Sequence, residues 1–170
     1  MAVLELYTFP SKVLSQVSEE VDVVDDKVRK LLDDMLETMY HNKGVGLAAP
    51  QVGVLKKIIV IDDKVTEDGE PGEHPMYMVN PKIIEKSEEM VVFNEGCLSV
   101  PGQSAEVERH ESVVVEYLDY DGKQQRLEAT GFLAIIIQHE TDHLNGTLYI
   151  DKISRLKRNM IVKRLEKLKA

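Results

Sequence analysis

Five consecutive residues, HETDH from His139 to His143, set two imidazoles and a carboxylate at a spacing that can do chemistry. On an α-helix the side chains at i and i+4 lie one above the other on one face, so His139 and His143 could grip a single ion with Glu140 beside it. That is a hydrolytic metal site in outline. A catalytic metal ordinarily takes three protein ligands and keeps a fourth position for water, so a third ligand must come from elsewhere.

The chain has one cysteine, Cys97, in FNEGCLSVPG, a strand-like run broken at Gly96 and again at Pro101-Gly102. A lone cysteine is often no more than a small buried hydrophobe. Here the neighbouring glycine lets backbone approach closely, and no histidine follows His143, which favours Cys97 as the third ligand. The alternative is a downstream glutamate, as in zincin proteases; the one candidate, Glu166, lies in a basic terminal segment where a surface position is expected. A third cluster is GVGLAAPQVG, Gly44 to Gly53. It lacks the GxxxxGK[ST] pattern of a phosphate loop and the third glycine of a dinucleotide fingerprint. Its small residues Gly46, Ala48 and Ala49 leave main-chain groups accessible, and Gln51 offers a neutral amide donor, so the strip could bind a peptide main chain by strand addition.

Together the three clusters resemble the peptide deformylases, which carry GxGLAAxQ, EGCLS and HExDH in that order; this chain reads GVGLAAPQ at 44–51, EGCLS at 95–99 and HETDH at 139–143. The likeness extends from the TFP turn near Phe9-Pro10 to a long terminal helix similar to that of the bacterial form. The resemblance implies Cys97, His139 and His143 as metal ligands, Glu140 as general acid and base, and Gln51 with the backbone N–H of Leu98 as the oxyanion hole. It implies removal of the formyl group from the N-terminal formylmethionine of new polypeptides, with Val45, Gly46, Glu95, Gly96, Phe132, Ile135 and Ile136 lining the substrate site. The chemistry is consistent: a divalent ion lowers the pKa of its water from about 15.7 to around 7, and a carboxylate can take that proton and return it to a leaving amine. An unbranched thioether suits an apolar pocket.

Two positions depart from the pattern, Ser104 where many bacterial relatives have arginine and Ile136 where some have cysteine, which leaves pocket polarity open. Arg109, near in sequence, is a candidate ion-pair partner for Glu95. For the metal, a Cys/His/His set reads as zinc on ligand type. The resemblance instead implies ferrous iron, with nickel, cobalt or zinc able to occupy the site, and iron is the expectation carried forward.

The HETDH geometry requires a helix. TGFLAIIIQHETDHLNG offers an N-cap at Thr130, an apolar run from Phe132 to Ile137 and a stop at Asn145-Gly146, and its length of roughly 15 residues favours a buried helix over a strand. Val28, Leu31, Leu32, Met35, Leu36, Met39 and Tyr40 recur at helical spacing between Asp25 or Asp26 and Gly44, predicting an amphipathic first helix. KKIIVID, MYMVNPKIIE, MVVFNEGC and ESVVVEYLDYDGKQQRLEAT read as strands, the last a hairpin turning at Asp121-Gly122, and residues 62–75 as an acidic loop. The expected architecture is a single α+β domain over 1–170, with small antiparallel or mixed sheets packed around a central HExxH-bearing helix, flanked by an N-terminal amphipathic helix and a C-terminal one. His41, His74 and His110 fall at surface positions in this reading.

The net charge of −9 hides an asymmetry: residues 152–170 hold 8 Lys or Arg against 1 acid, so an acidic body of −16 carries a basic tail of +7. Leu156, Met160, Ile161, Leu165 and Leu168 recur at helical spacing, describing a basic amphipathic helix over about 152–169 packed by one face. Its basic side is either a solvated surface or, as the resemblance allows, a contact to the ribosome near the emerging chain. No apolar stretch approaches the roughly 18 residues of a membrane span, MAVLELYTFP lacks a basic start followed by an apolar core, and one unpartnered thiol suits a reducing compartment. A cytoplasmic enzyme with neither membrane nor DNA as partner is expected. A metallopeptidase sharing the HExxH mechanics and a binding module with a structural metal are the competing readings. The second lacks an evident fourth soft ligand.

Overall fold

The computed structural model describes residues 2–66, 68, 70–72 and 74–169. Helix α1 spans Asp26–His41. The Asp25 carboxylate accepts from Val28 N–H at 3.0 Å, and Leu32, Met35, Leu36 and Met39 line the buried face, as the spacing predicts. Strands β1 (Gly46–Ala48), β2 (Ile58–Ile61) and β3 (Met76–Lys86) follow, then β4 (Met90–Cys97), β5 (Val100–His110), β6 (Ser112–Leu118) and β7 (Gln124–Thr130). Helix α2 spans Gly131–Leu144 and α3 spans Arg155–Lys169. Short 3-10 turns occupy Lys12–Ser15, Ala49–Val52 and Tyr149–Lys152.

A five-stranded sheet runs β1-β2-β3-β6-β7, and β4 with β5 forms a separate ribbon. Every ladder is antiparallel; the one parallel contact among the described residues is an isolated bridge between Glu19 and Lys56. The sheet lies between α1 and α2, and this explains why β2 is apolar without interruption. Ile58 and Val60 pack in the α1 cluster with Leu47 and Val79, while Ile59 and Ile61 pack in the α2 cluster with Ala48 and Met78. The α+β architecture around the HETDH helix is the one expected, and α2 is buried from Ala134 to Thr141 and again at His143 and Leu144. Thr130 sits at the N-cap, but its hydroxyl makes no capping bond. The turn after α2 closes through Gly146, at φ 74°, where a Cβ would fall 2.6 Å from the Ser15 carbonyl oxygen.

The structure adds two strands to the expected set and corrects the terminal helix. Strand β5 went unread because its inner face carries Gln103, Ala105, Val107 and Arg109 between exposed Ser104, Glu106 and Glu108, which dilutes the apolar alternation that marks a strand. GLA at 46–48 is a paired edge strand, not only an open strip. The terminal helix begins at Arg155 and packs by less than its full apolar set. Ile161 and Leu165 are buried against Val100, Val107 and Ile150, whereas Leu156, Met160 and Leu168 are exposed. At ~100° per residue, Leu156 and Met160 point about 100–140° away from the Ile161 position, and Leu168 falls one turn beyond the last buried contact.

Candidate metal centre and its cleft

One buried helix and one hairpin turn build the centre. The apolar run from Ala134 to Ile137 anchors α2 in the core, so the next turn projects His139, Glu140 and His143 from a rigid base. Strand β4 ends at Cys97, and Leu98 and Ser99 make the two-residue turn into β5. The register shifts between Glu95 and Cys97, and residues 101–104, which include the Pro101-Gly102 break read in the sequence, lie within the irregularity. Ligand atoms of Cys97, His139 and His143 all lie within 4.8 Å of one another, with Cys97 Sγ 3.4 Å from His143 Nε2. A sulfur and two imidazole nitrogens at this separation fit three corners of a tetrahedral divalent site. Cys97, His139 and Glu140 line a cleft of about 410 Å³, so the open side of the trio is the cleft. Glu166, the alternative ligand, is exposed on α3, and His41, His74 and His110 are absent from the cluster.

The ligands are held from behind. His139 Nδ1 meets Glu95 Oε1 at 2.8 Å, which leaves Nε2 for a metal. Arg109 then grips Glu95 with both prongs of its guanidinium, Nε to Oε2 at 2.8 Å and Nη2 to Oε1 at 2.9 Å, and reaches Asp142 Oδ2 with Nη1 at 2.6 Å. Gln138 adds a second tie from α2 to β5, donating to the His110 carbonyl at 2.8 Å and accepting its N–H at 3.0 Å. The ring of Tyr149 stacks on His139 at 6.0 Å.

Electrostatics follow burial and these partners. Burial opposes charge on Glu95, but Arg109 and then His139 hold its carboxyl below the usual range. Burial likewise opposes a charged His139, yet the Cys97 sulfur and Glu95 carboxylate outweigh it and raise its pKa well above the ordinary value. The same sulfur and carboxylate would favour a metal cation at this place. Burial, with His139 and Arg109 nearby, holds His143 well below the ordinary value, hence neutral and fit to ligate. Burial pushes Glu140 up to about 7, and its Oε1 has no hydrogen-bond partner.

Gln51 comes from the 3-10 turn after β1 and is 1 % exposed. Its Oε1 accepts Ala48 N–H at 3.0 Å, which turns Nε2 toward Ser99 Oγ at 3.1 Å and Cys97 Sγ at 3.5 Å. Gly46 has no room for a side chain, since a Cβ would fall 2.5 Å from Glu140 Oε2.

Val45, Gly46, Gln51, Glu95, Gly96, Leu98, Phe132, Ile135 and Ile136 all line the cleft, whereas His143 lies behind it, fully buried. Glu95 contributes differently from the expected substrate wall, because its carboxylate is committed to Arg109 and His139. The ion pair suggested by the sequence between Arg109 and Glu95 is present. Sequence reasoning missed Phe93, whose ring packs on Phe132 at 5.3 Å at the cleft; two residues before Glu95 on a strand, it shares that residue's face. It also missed Asp142 and Ser99, although both stand inside the recognised motifs.

With this geometry in place, the comparisons are consistent with it. The family model for polypeptide deformylase matches residues 3–159. The chain is 53% identical to a peptide deformylase of Rickettsia akari, covering 99% of this chain and 98% of that one, and 51% identical to one of Rhizobium meliloti, covering 98% and 94%. Among solved structures, it superimposes on a peptide deformylase from Ehrlichia chaffeensis in complex with actinonin with a TM-score of 0.91 at 47% identity, covering 98% of each chain. For one from Legionella pneumophila the TM-score is 0.90 at 40% identity, over 99% and 96%.

Proposed function

Since the chain belongs to the polypeptide deformylase family of metallo-hydrolases, we propose that it hydrolyses the formyl group from the N-terminal formylmethionine of nascent polypeptides, giving formate and a free amine. The observation that carries this reading is the convergence of a Cys/His/His trio, a buried carboxyl and a buried amide donor on one cleft. Cys97, His139 and His143 would hold the ion, and ferrous iron is the proposed one. When bound, such an ion supplies Lewis acidity that makes water a usable nucleophile near neutral pH.

The chain's own residues do the rest. Glu140 takes the proton of the attacking water on a carboxylate oxygen and later delivers it to the departing amine; a carboxyl held at about 7 can do both. The Gln51 Nε2–H and the Leu98 backbone N–H meet the negative charge that develops on the formyl oxygen. One such donor is worth about 2.7–4 kcal/mol of transition-state stabilisation. The peptide lies along the outer edge of β1, the terminal strand of its sheet, where Gly46 offers main-chain groups and carries no side chain of its own. Phe132, Ile135 and Ile136, with Val45 opposite, accept the methionine side chain, and Gly96 forms the facing wall. The exposed basic side of α3 contacts the ribosome, and the enzyme works in the cytoplasm; no helix among the described residues is long and apolar enough to cross a membrane.

The test is formate release from formyl-Met-Ala-Ser by iron-loaded protein under anaerobic conditions, with Glu140→Ala as control and the unformylated peptide alongside. Release by the wild type alone supports the reading. Absence of release from folded, metal-loaded protein would overturn it, and cleavage of the unformylated peptide would redirect it to peptidase chemistry.

A further inference from the structure

Gln51 lines the cleft, Ser99, 48 positions later in sequence, is fully buried in the turn between β4 and β5, and the N-terminal segment ties them together. Tyr7 N–H donates to the Gln51 carbonyl at 2.8 Å, and Phe9 N–H donates to the Ser99 carbonyl at 2.8 Å. The Ser99 hydroxyl donates to the Tyr7 carbonyl at 2.7 Å and accepts from Gln51 Nε2 at 3.1 Å. The direction of this chain is fixed at both ends. Ala48 N–H occupies Gln51 Oε1, so the amide cannot flip without setting Nε2 against a donor. The Tyr7 carbonyl can only accept, so the Ser99 proton points to it and the lone pairs face Gln51. Of the two hydrogens on Gln51 Nε2, one is consumed by Ser99 and the other points toward Cys97 Sγ, 3.5 Å away, on the metal side of the cleft. Ser99 is fully buried, so water cannot substitute for its hydroxyl.

We propose that Ser99, itself held by the segment Tyr7–Phe9, is a positioning residue that aims the second N–H of Gln51, the one directed to the Cys97 sulfur, at the metal side of the cleft where the reacting carbonyl binds. The proposal rests on the reading of Gln51 as an oxyanion donor. Ser99 touches neither substrate nor metal in it, and acts through the orientation of an amide that must be preorganised before charge develops. Removing the hydroxyl frees the amide to swing, and the cost falls on kcat while ground-state binding is retained.

The experiment is a double-mutant cycle on the iron-loaded enzyme, assayed anaerobically with formyl-Met-Ala-Ser, with metal content and thermal midpoint measured for each protein. The expected result is that Ser99→Ala lowers kcat about tenfold, with KM and metal content changed less than about twofold, and that Ser99→Thr, which keeps the hydroxyl, restores most of the rate. Gln51→Leu lowers kcat by about 10²–10³, and in that background Ser99→Ala has no further effect on kcat. An equal loss from Ser99→Ala in both backgrounds, or no loss in the wild type, overturns the proposal. Full kcat in Gln51→Leu overturns instead the oxyanion reading beneath it. If Ser99→Ala does not fold, Ser99→Cys, close in volume and weaker in both hydrogen bonds, takes its place in the same cycle.

Discussion

Helices α2 and α3 are nearly the same length, 14 and 15 residues, and the fold uses them in opposite ways. In α2 the apolar turn packs against the sheet, Gln138 ties the helix to β5, and the following turn carries the ligands, with Tyr149 stacked on His139. Among the described side chains of α3 only Ile161 and Leu165 are buried, and the exposed surface is mostly lysine and arginine, with Asn159, Glu166 and the three apolar side chains Leu156, Met160 and Leu168. A ligand set must hold its atoms within tenths of an ångström, which burial and side-chain hydrogen bonds achieve. A helix with one buried stripe is free to present charge outward.

The largest effect that could break this contrast lies at Arg109, which supports α2 at two points without ligating metal. Arg109→Leu takes the arginine from the buried Glu95 carboxylate, leaving Oε2 without a partner and His139 alone on Oε1, and unties Asp142; breaking a buried pair in this way costs about 3–5 kcal/mol of stability. Because Glu95 orients His139, metal affinity should also fall, by roughly 10- to 100-fold. Chemical denaturation and competition with a chelator measure the two losses; a variant that keeps both stability and affinity would reduce the ion-pair network to ornament.

A matched pair of truncations sharpens the contrast. Ile137→Ala, at a fully buried position of α2, should cost about 2–5 kcal/mol through lost transfer energy and the cavity left behind. Leu156→Ala, 73% exposed on α3, should change stability by no more than about 0.5 kcal/mol. Comparable losses at both positions, read from denaturant midpoints, would mean that α3 is covered in solution by something that packs on Leu156.

The same contrast shows what could be read from the residues. HETDH was legible because its context was: an apolar run capped by Asn145-Gly146 admits few structures, and i,i+4 spacing on a helix leaves one geometry for the imidazoles. Fold class followed from α1, whose helical periodicity is plain, and from the order of strand-like runs and helices around it, since β2 is apolar throughout and carries no period of its own. Strand β5 was not legible, because Arg109 occupies its inner face for reasons found only in Glu95 on the neighbouring strand and Asp142 on α2. The committed state of the Glu95 carboxylate is of the same kind, since its partners lie 14 and 44 positions away. In α3 the heptad-like spacing of five apolar residues overstated the packed face, because spacing reports a stripe on the helix and says nothing of how far the body extends beneath it.

The smallest effect on the fold is expected from the basic surface of α3, and it decides whether that helix has a partner. Cutting the chain after Ser154 would be a blunt instrument: it removes Ile161 and Leu165 from a cluster that includes Tyr149, and Tyr149 stacks on His139. Reversing charge at Lys157, Lys163 and Arg164, all exposed, leaves that packing in place, as does sparing Arg158, which pairs with Asp151. Isolated surface charges contribute little to stability, so the thermal midpoint and the rate on a short formylated peptide should stay close to wild type. Attraction to a phosphate-rich surface, by contrast, scales with the number of cations that meet it and weakens with salt. Co-sedimentation with ribosomes at low and moderate salt should therefore fall sharply for the triple variant. Undiminished co-sedimentation would make the basic face of α3 a solvated surface that offsets the acidic body, and leave α2 as the one helix with a task.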